Sequence, residues 1–182
     1  MTAADFDSKR AVVLDASFVL SMLLKEPAGP AVKLALRRWS EEDRRLLTCN
    51  HFWLEVTNAL VRRPEFLGQH MTEAIYEVDL LRLEDVAIDR GALLLTLDNA
   101  ERYGLTTYNA AYLTLAQVMN ADLATLDRRL AAAARDRAIA LDDAHGLAET
   151  SAVYERDVTW PSYKGASAYL AKLRAEVLAE RA

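Results

Sequence analysis

An α/β fold, with a mainly parallel central sheet covered by helices on both faces, is what this sequence predicts, on three observations. Short continuous apolar runs with β-branched residues recur along the chain, the pattern of strands buried on both faces. Amphipathic segments of helical length separate these runs, as crossover connections require. The composition, 52% apolar and 27% charged over 182 residues with six Gly and four Pro, supplies a full core without disulfides or structural metal, since a chain of this length buries roughly two-thirds of its unfolded surface.

The first strand is Ala11-Val12-Val13-Leu14, with Asp15 directly behind it. Residues 18–25 read as a helix that Glu26-Pro27-Ala28-Gly29 ends. Pro30 suits the first turn of a second helix, 30–39, because its missing N–H has no helical partner there in any case. The charged stretch 40–45 is a solvated connection, and Leu46-Leu47-Thr48 a short second strand. A helix over 51–62 is stopped by Pro64, and its spacing puts His51, Glu55, Asn58 and Ala59 on one face. Helices over 71–83 and 92–102 follow, with a weak strand at 85–88 between them and Gly104 as C-cap. Thr107 is expected to cap a helix over 109–119. Asp122-Leu123-Ala124-Thr125 is the next buried strand, closing on Asp127. A short helix over 128–135 and a last strand over 138–141 complete the pattern.

Parallel sheets of this kind place their sites outside the carboxyl ends of the strands. Most of the 27 acids decorate the surface, but Asp15 and Asp127 each follow a strand and belong on one sheet edge. Asp122 opens its strand and belongs at the other end, and Asp98 lies on a helix. Glu55 sits among Phe52, Trp53, Leu54, Val56, Ala59 and Leu60, where a carboxylate needs a partner; a buried pair with an arginine is the structural explanation to set against a functional one. The formal charge of −5 argues against a protein that coats nucleic acid through a basic field, and leaves room for a nuclease whose acids hold a cation.

Four pieces in order resemble the PIN domain family, and within it the VapC-type toxin ribonucleases: Val12-Val13-Leu14-Asp15-Ala16-Ser17; Trp53-Leu54-Glu55-Val56-Thr57-Asn58-Ala59-Leu60; Thr107-Tyr108-Asn109-Ala110-Ala111-Tyr112; and Leu123-Ala124-Thr125-Leu126-Asp127-Arg128-Arg129-Leu130. The resemblance covers about residues 10–143 and implies a PIN-like three-layer domain over 1–143. It implies an endoribonuclease that uses Mg²⁺ or Mn²⁺, hard cations that take oxygen ligands, to activate water against RNA phosphodiesters. Asp15, Glu55 and Asp127 are then the metal-binding acids, with Asn109 as a fourth member of the catalytic set. Ser17, Asn58 and Thr125 are polar supports, and Arg128 and Arg129 contact RNA phosphates. An antitoxin partner and a homodimer are implied as well.

Position 109 departs from the family pattern, where an acid is usual. An amide oxygen still ligates a hard cation but removes one negative charge. The resemblance therefore leaves open a catalytically weak or silent PIN domain acting in RNA binding or protein interaction. Asp142 and Asp143, behind the last predicted strand, could compensate on the same sheet edge. A haloacid-dehalogenase-like phosphatase would need an acid at position 17, where Ser17 stands.

Several residues carry plainer readings. Asp15 and Asp127 also suit helix N-caps, and Asn109 suits one near its helix start. Tyr108 and Tyr112 fit a core, and His51, His70 and His145 read as surface or packing residues. Residues 144–182 are expected to form an extension, with a loop at 151–164 and an amphipathic helix at 165–181 that packs on the domain or lies at an interface. The single Cys49, the absence of a signal-peptide pattern at the N-terminus and of a clean run of about 20 apolar residues make a soluble cytoplasmic protein the expectation.

Overall fold

The computed structural model describes residues 10–66, 68–139 and 141. Along the chain run β1 (Val12–Leu14), α1 (Ala16–Leu23), α2 (Gly29–Glu41), β2 (Leu46–Cys49), α3 (Phe52–Val61), α4 (Gln69–Asp79), β3 (Glu84–Val86), α5 (Arg90–Tyr103), α6 (Thr107–Val118), β4 (Asp122–Ala124) and α7 (Arg128–Ala134). Single 3-10 turns lie over Pro64–Phe66 and Arg135–Arg137.

The strands form one sheet in the order β3-β2-β1-β4, and every pairing is parallel. Val12 stands opposite both Leu46 and Asp122, and Leu14 opposite Ala124. The α/β class expected from the apolar runs therefore holds. All of β1 and β2 is buried, which is why those runs lack the polar alternation of a half-exposed strand. The chain moves outward from β1 through β2 to β3, then returns to the far side of β1 for β4. That reversal makes the crevice between β1 and β4 a topological switch point, the place where such sheets hold ligands.

Local chemistry fixes the helix ends. Asp15 and Asp127, both in extended backbone, cap α1 and α7, and Asp89 Oδ1 accepts from Ala92 N at 2.8 Å to start α5. Gly104 takes the left-handed conformation (φ 63°) that ends α5, which L side chains adopt at a cost. The cap of α6 is Thr106, not Thr107: its side chain accepts from Asn109 N at 3.2 Å. A hydroxyl at the cap reaches the amide three residues on, so Asn109 lies in the first turn and not at the cap.

The expected strand over 138–141 is a second correction. Ala138 forms an isolated parallel bridge with Leu123, and Ile139 N donates to Leu123 O at 2.9 Å. The 3-10 turn before it is tied back to the sheet, Arg137 donating to Asn120 Oδ1 at 3.1 Å, so the chain meets β4 for a single pairing. The expectations for Asp142, Asp143, His145 and the extension over 144–182 lie outside the described residues. No described helix is long and apolar enough to cross a membrane.

The core gathers around β1, with Phe18, Phe52, Tyr112 and Leu123 fully buried and Phe18 stacked on Trp39 at 5.7 Å. Asp122, at the amino end of β4, pairs with Arg44 at 2.5 Å and Arg10 at 3.6 Å, so it stands at the end of the sheet expected for it. Asp98 pairs with Arg102 on α5. The α5–α6 contact is polar: Thr96 Oγ1 and Asn99 Nδ2 meet Thr114 Oγ1 at 3.1 and 3.0 Å, and Asn99 donates to Gln117 at 2.9 Å. The leucines of α5 face outward instead, Leu94 at 70% and Leu97 at 49% exposure.

Candidate active site

Asp15 leaves the carboxyl end of β1 with 4% of its surface exposed. Its Oδ2 accepts the Ser17 hydroxyl at 2.5 Å and the Thr125 hydroxyl at 2.6 Å. Each hydroxyl is oriented from behind by a backbone amide. Leu126 N donates to Ser17 Oγ at 3.1 Å, and Asp127 N donates to Thr125 Oγ1 at 3.0 Å. A hydroxyl has one proton to give, so both amides aim that proton at Asp15. Ser17 and Thr125 thus take up positions beside the first acid and join β1 to the turn after β4.

Asp127 uses both carboxylate oxygens. Oδ1 accepts from the amides of Arg129 and Leu130 at 2.8 and 2.9 Å, and Oδ2 accepts from Asn109 Nδ2 at 2.9 Å. Asn109 therefore meets the acid as a donor. Glu55, on α3, accepts the Tyr112 hydroxyl at 2.5 Å through Oε2. The His51 Nε2 lies 3.6 Å from that oxygen, too far for a hydrogen bond, and the buried nitrogen has no hydrogen-bond partner among the described residues. His51 packs on the rings of Tyr112 and Tyr108, at 4.8 and 5.3 Å.

These acids lack a basic counterpart. Among the described residues no Lys or Arg pairs with Asp15, Glu55 or Asp127, and burial holds His51 below its ordinary range despite the opposing pull of the Tyr108 backbone. Burial pushes the Asp15 carboxyl up, partly offset by the Ser17 and Thr125 hydroxyls, and Asp127 adds to the rise. Burial also raises Glu55, against the Tyr112 hydroxyl and with help from Asp15. The Cys49 thiol is pushed up to about 12 by burial and by the charges of Glu55 and Asp15, so it stays protonated and unreactive. Tyr112 is raised far above its ordinary value by burial and by its bond to Glu55.

The donors are oxygens, and the charge around them is uncompensated, which fits a hard divalent cation. No three His, Cys, Asp or Glu side chains among the described residues are gathered into a ready cage. Mg²⁺ does not need one, since it keeps several waters and takes one or two carboxylates. Asp15 and Asp127, from neighbouring strands, are the pair best placed to supply them.

The remaining predicted residues lie further out. Asn58 is exposed on α3, and its side chain makes no hydrogen bond among the described residues. Arg128 and Arg129 are exposed at the start of α7, and Arg129 and Arg135 border an open cavity of about 540 Å³ with Tyr103 and Gly104. Sequence reasoning missed the tie between Tyr112 and Glu55. The signal was present, because a carboxylate on an apolar helix requires a donor, but a buried tyrosine was read as packing alone.

A PIN domain family model matches residues 12–136. Ribonuclease VapC3 from Pyrobaculum aerophilum is 29% identical over 126 residues, covering 66% of this chain and 92% of that protein. Among solved structures, PAE2754 from Pyrobaculum aerophilum aligns with a TM-score of 0.56 and 22% identity over 77% of this chain and 96% of its own. A toxin–antitoxin complex from Klebsiella pneumoniae gives a TM-score of 0.55 at 16% identity over 72% and 98%. The sarcin–ricin loop cleaving toxin VapC20 of Mycobacterium tuberculosis gives 0.54 at 15% over 68% and 95%. At these identities the structural likeness is one of fold.

Proposed function

The chain belongs to the PIN domain family, and we propose that it is a Mg²⁺- or Mn²⁺-dependent endoribonuclease of the VapC toxin type that hydrolyses RNA phosphodiesters. One observation carries this reading: Asp15 and Asp127 follow the neighbouring strands β1 and β4, Asp15 nearly sealed from solvent and within electrostatic reach of both Asp127 and Glu55, with no Lys or Arg paired to any of the three among the described residues. The likeness to Ribonuclease VapC3 supports it.

Asp15 and Asp127 would hold the ion, with Glu55 facing it from α3. The chemistry a bound Mg²⁺ or Mn²⁺ supplies in such a site is activation of water and offset of charge on phosphate oxygens. The chain's own residues position the ligands. Ser17 and Thr125 lock the Asp15 carboxylate, the two amides opening α7 hold Asp127, and Tyr112 fixes Glu55. Arg128 and Arg129, exposed beside Asp127, would contact the phosphates of a bound RNA strand. An antitoxin protein as inhibitor, a homodimeric state and a cytoplasmic location belong to the same proposal; the fold shared with a toxin–antitoxin complex supports the first.

A second reading, a catalytically weak or silent PIN domain, is favoured by Asn109, whose uncharged amide occupies one oxygen of Asp127 as a hydrogen-bond donor. Cleavage of a mixed RNA substrate with Mg²⁺ or Mn²⁺ separates the two. The proposal expects cleavage by the native protein, abolished in Asp15→Ala and raised in Asn109→Asp. No cleavage by the native protein but cleavage by Asn109→Asp would establish the silent domain, and no cleavage by any of the three would overturn the nuclease.

A further inference from the structure

Helix α6 buries every residue from Ala110 to Ala116, yet Tyr108 in its first turn keeps 59% of its surface exposed. Tyr108 and Tyr112 lie four residues apart on one face, and the core role expected of both holds only for Tyr112, which is fully buried. No other Phe, Tyr or Trp among the described residues is exposed. A single exposed ring is ordinary on a protein surface, but the surroundings of this one are not.

The His51 ring lies against both tyrosines, 4.8 Å from Tyr112 and 5.3 Å from Tyr108. The His51 side chain is only 14% exposed, so the three rings form a ladder from the core outward and brace Tyr108 from behind. Two contacts of the same helix lead to the acids. The next residue, Asn109, donates to Asp127 at 2.9 Å, and Tyr112 donates to Glu55 at 2.5 Å. The exposed ring therefore stands beside the candidate site. Thr106 and Thr107, also exposed, frame it with hydroxyls, not with the contiguous apolar surface that a protein partner would cover.

We propose that Tyr108 is a stacking platform for a nucleobase of single-stranded RNA bound at the candidate site. A base offers a flat, uncharged π-face, so it can settle on the ring beside acids that repel phosphates. In a duplex both faces of a base are taken by its neighbours, whereas loops and single strands splay bases out for aromatic side chains. Tyr108 therefore selects unpaired RNA. The proposal deepens the function given above: it rests on RNA as the ligand but not on its hydrolysis, so cleavage tests one and binding without cleavage tests the other.

Fluorescence anisotropy of a labelled, short single-stranded RNA of mixed sequence, titrated with the full-length protein in EDTA to prevent cleavage, is the measurement. Thermal melts confirm that each variant folds. Tyr108→Phe keeps the ring and should bind within about twofold of the native chain. Tyr108→Leu keeps an apolar side chain without a π-face and should bind at least about fivefold more weakly, the lower end of what one stacked base contributes. Its salt dependence should keep the native slope, because no phosphate contact is lost. With a duplex of the same sequence the native chain and Tyr108→Leu should bind alike. No binding by the native chain, an equal loss on duplex, a loss as large in Tyr108→Phe, or a shallower salt slope in Tyr108→Leu would overturn the proposal. Equal affinity of Tyr108→Leu and the native chain would overturn it in favour of a protein contact at the ring. Tyr108-dependent binding in a protein that cleaves nothing would leave the platform standing and remove the nuclease.

Discussion

The side-chain amide of Asn109 donates to Asp127 Oδ2 at 2.9 Å, joining the first turn of α6 to the cap of α7 across the candidate metal site. The residue that departs from the family pattern thus acts as a neutral clasp on one of the acids. It holds Asp127 where an acid at the same position would repel it.

Asn109→Asp should therefore separate stability from ion binding. Without divalent ions the variant should lose about 1 kcal/mol or more, from the lost hydrogen bond and the added like charge. With Mn²⁺ it should regain more melting temperature than the native protein does. Thermal melts with and without the ion provide the comparison, and equal ion-induced shifts would remove Asn109 from the site.

Asp15→Asn should raise the melting temperature in the absence of divalent ions while abolishing cleavage. Burial raises the Asp15 carboxyl above its ordinary value in the folded chain, so its ionised form costs folding free energy. Its effect on stability is most favourable below the ordinary carboxylate pKa and declines as pH rises toward the folded value. The variant should lack that decline. Melting temperature followed from acid to neutral pH tests the sign.

Tyr112→Phe removes the one side-chain hydrogen bond to Glu55 among the described residues, from the hydroxyl that opposes the burial-driven rise of its carboxyl. The expected cost is about 1.5 to 3 kcal/mol, the range for a hydrogen bond to a charged group. The Glu55 carboxyl should rise further, moving the acidic limb of any cleavage profile to higher pH. An unchanged limb would show that Glu55 does not titrate in the reaction.

Away from the site, Arg45 grips Glu84 in two bonds of 2.9 and 2.6 Å between β2 and β3. The guanidinium holds the Glu84 carboxyl below its ordinary range, so the stabilisation is present above the ordinary carboxylate pKa and is lost as pH falls through the folded value. The pair is about half exposed, so Glu84→Gln should give a small loss of melting temperature at neutral pH, smaller still at high salt.

Much of this arrangement was legible because burial on both faces and helix capping leave strong local marks. The unbroken run Val12-Val13-Leu14 and the acids behind β1 and β4 put Asp15 and Asp127 on one edge, and both are helix caps as well as candidate site residues. Thr106 and Thr107 offer the same hydroxyl, and only the distance to the Asn109 amide decides between them. The Glu55–Tyr112 bond joins residues 57 positions apart, a pairing that no local pattern encodes. Helix α5 runs against polarity rules: its burial follows from the Thr and Asn side chains that match α6, leaving leucines outside.

The bond from Thr125 to Asp15 spans 110 residues, and the strand that carries Thr125 is the last of the four. Ribosomal synthesis proceeds from the N-terminus, so β1, β2 and β3 can all have emerged while Asp15 still lacks both Thr125 and Asp127. A cell making this protein would hold only incomplete candidate sites on its nascent chains until β4 leaves the exit tunnel. Long-range parallel pairing is slow to close, which lengthens the interval further. For a chain read as a toxin, the connectivity of the sheet itself delays assembly of the candidate site until β4 has been made.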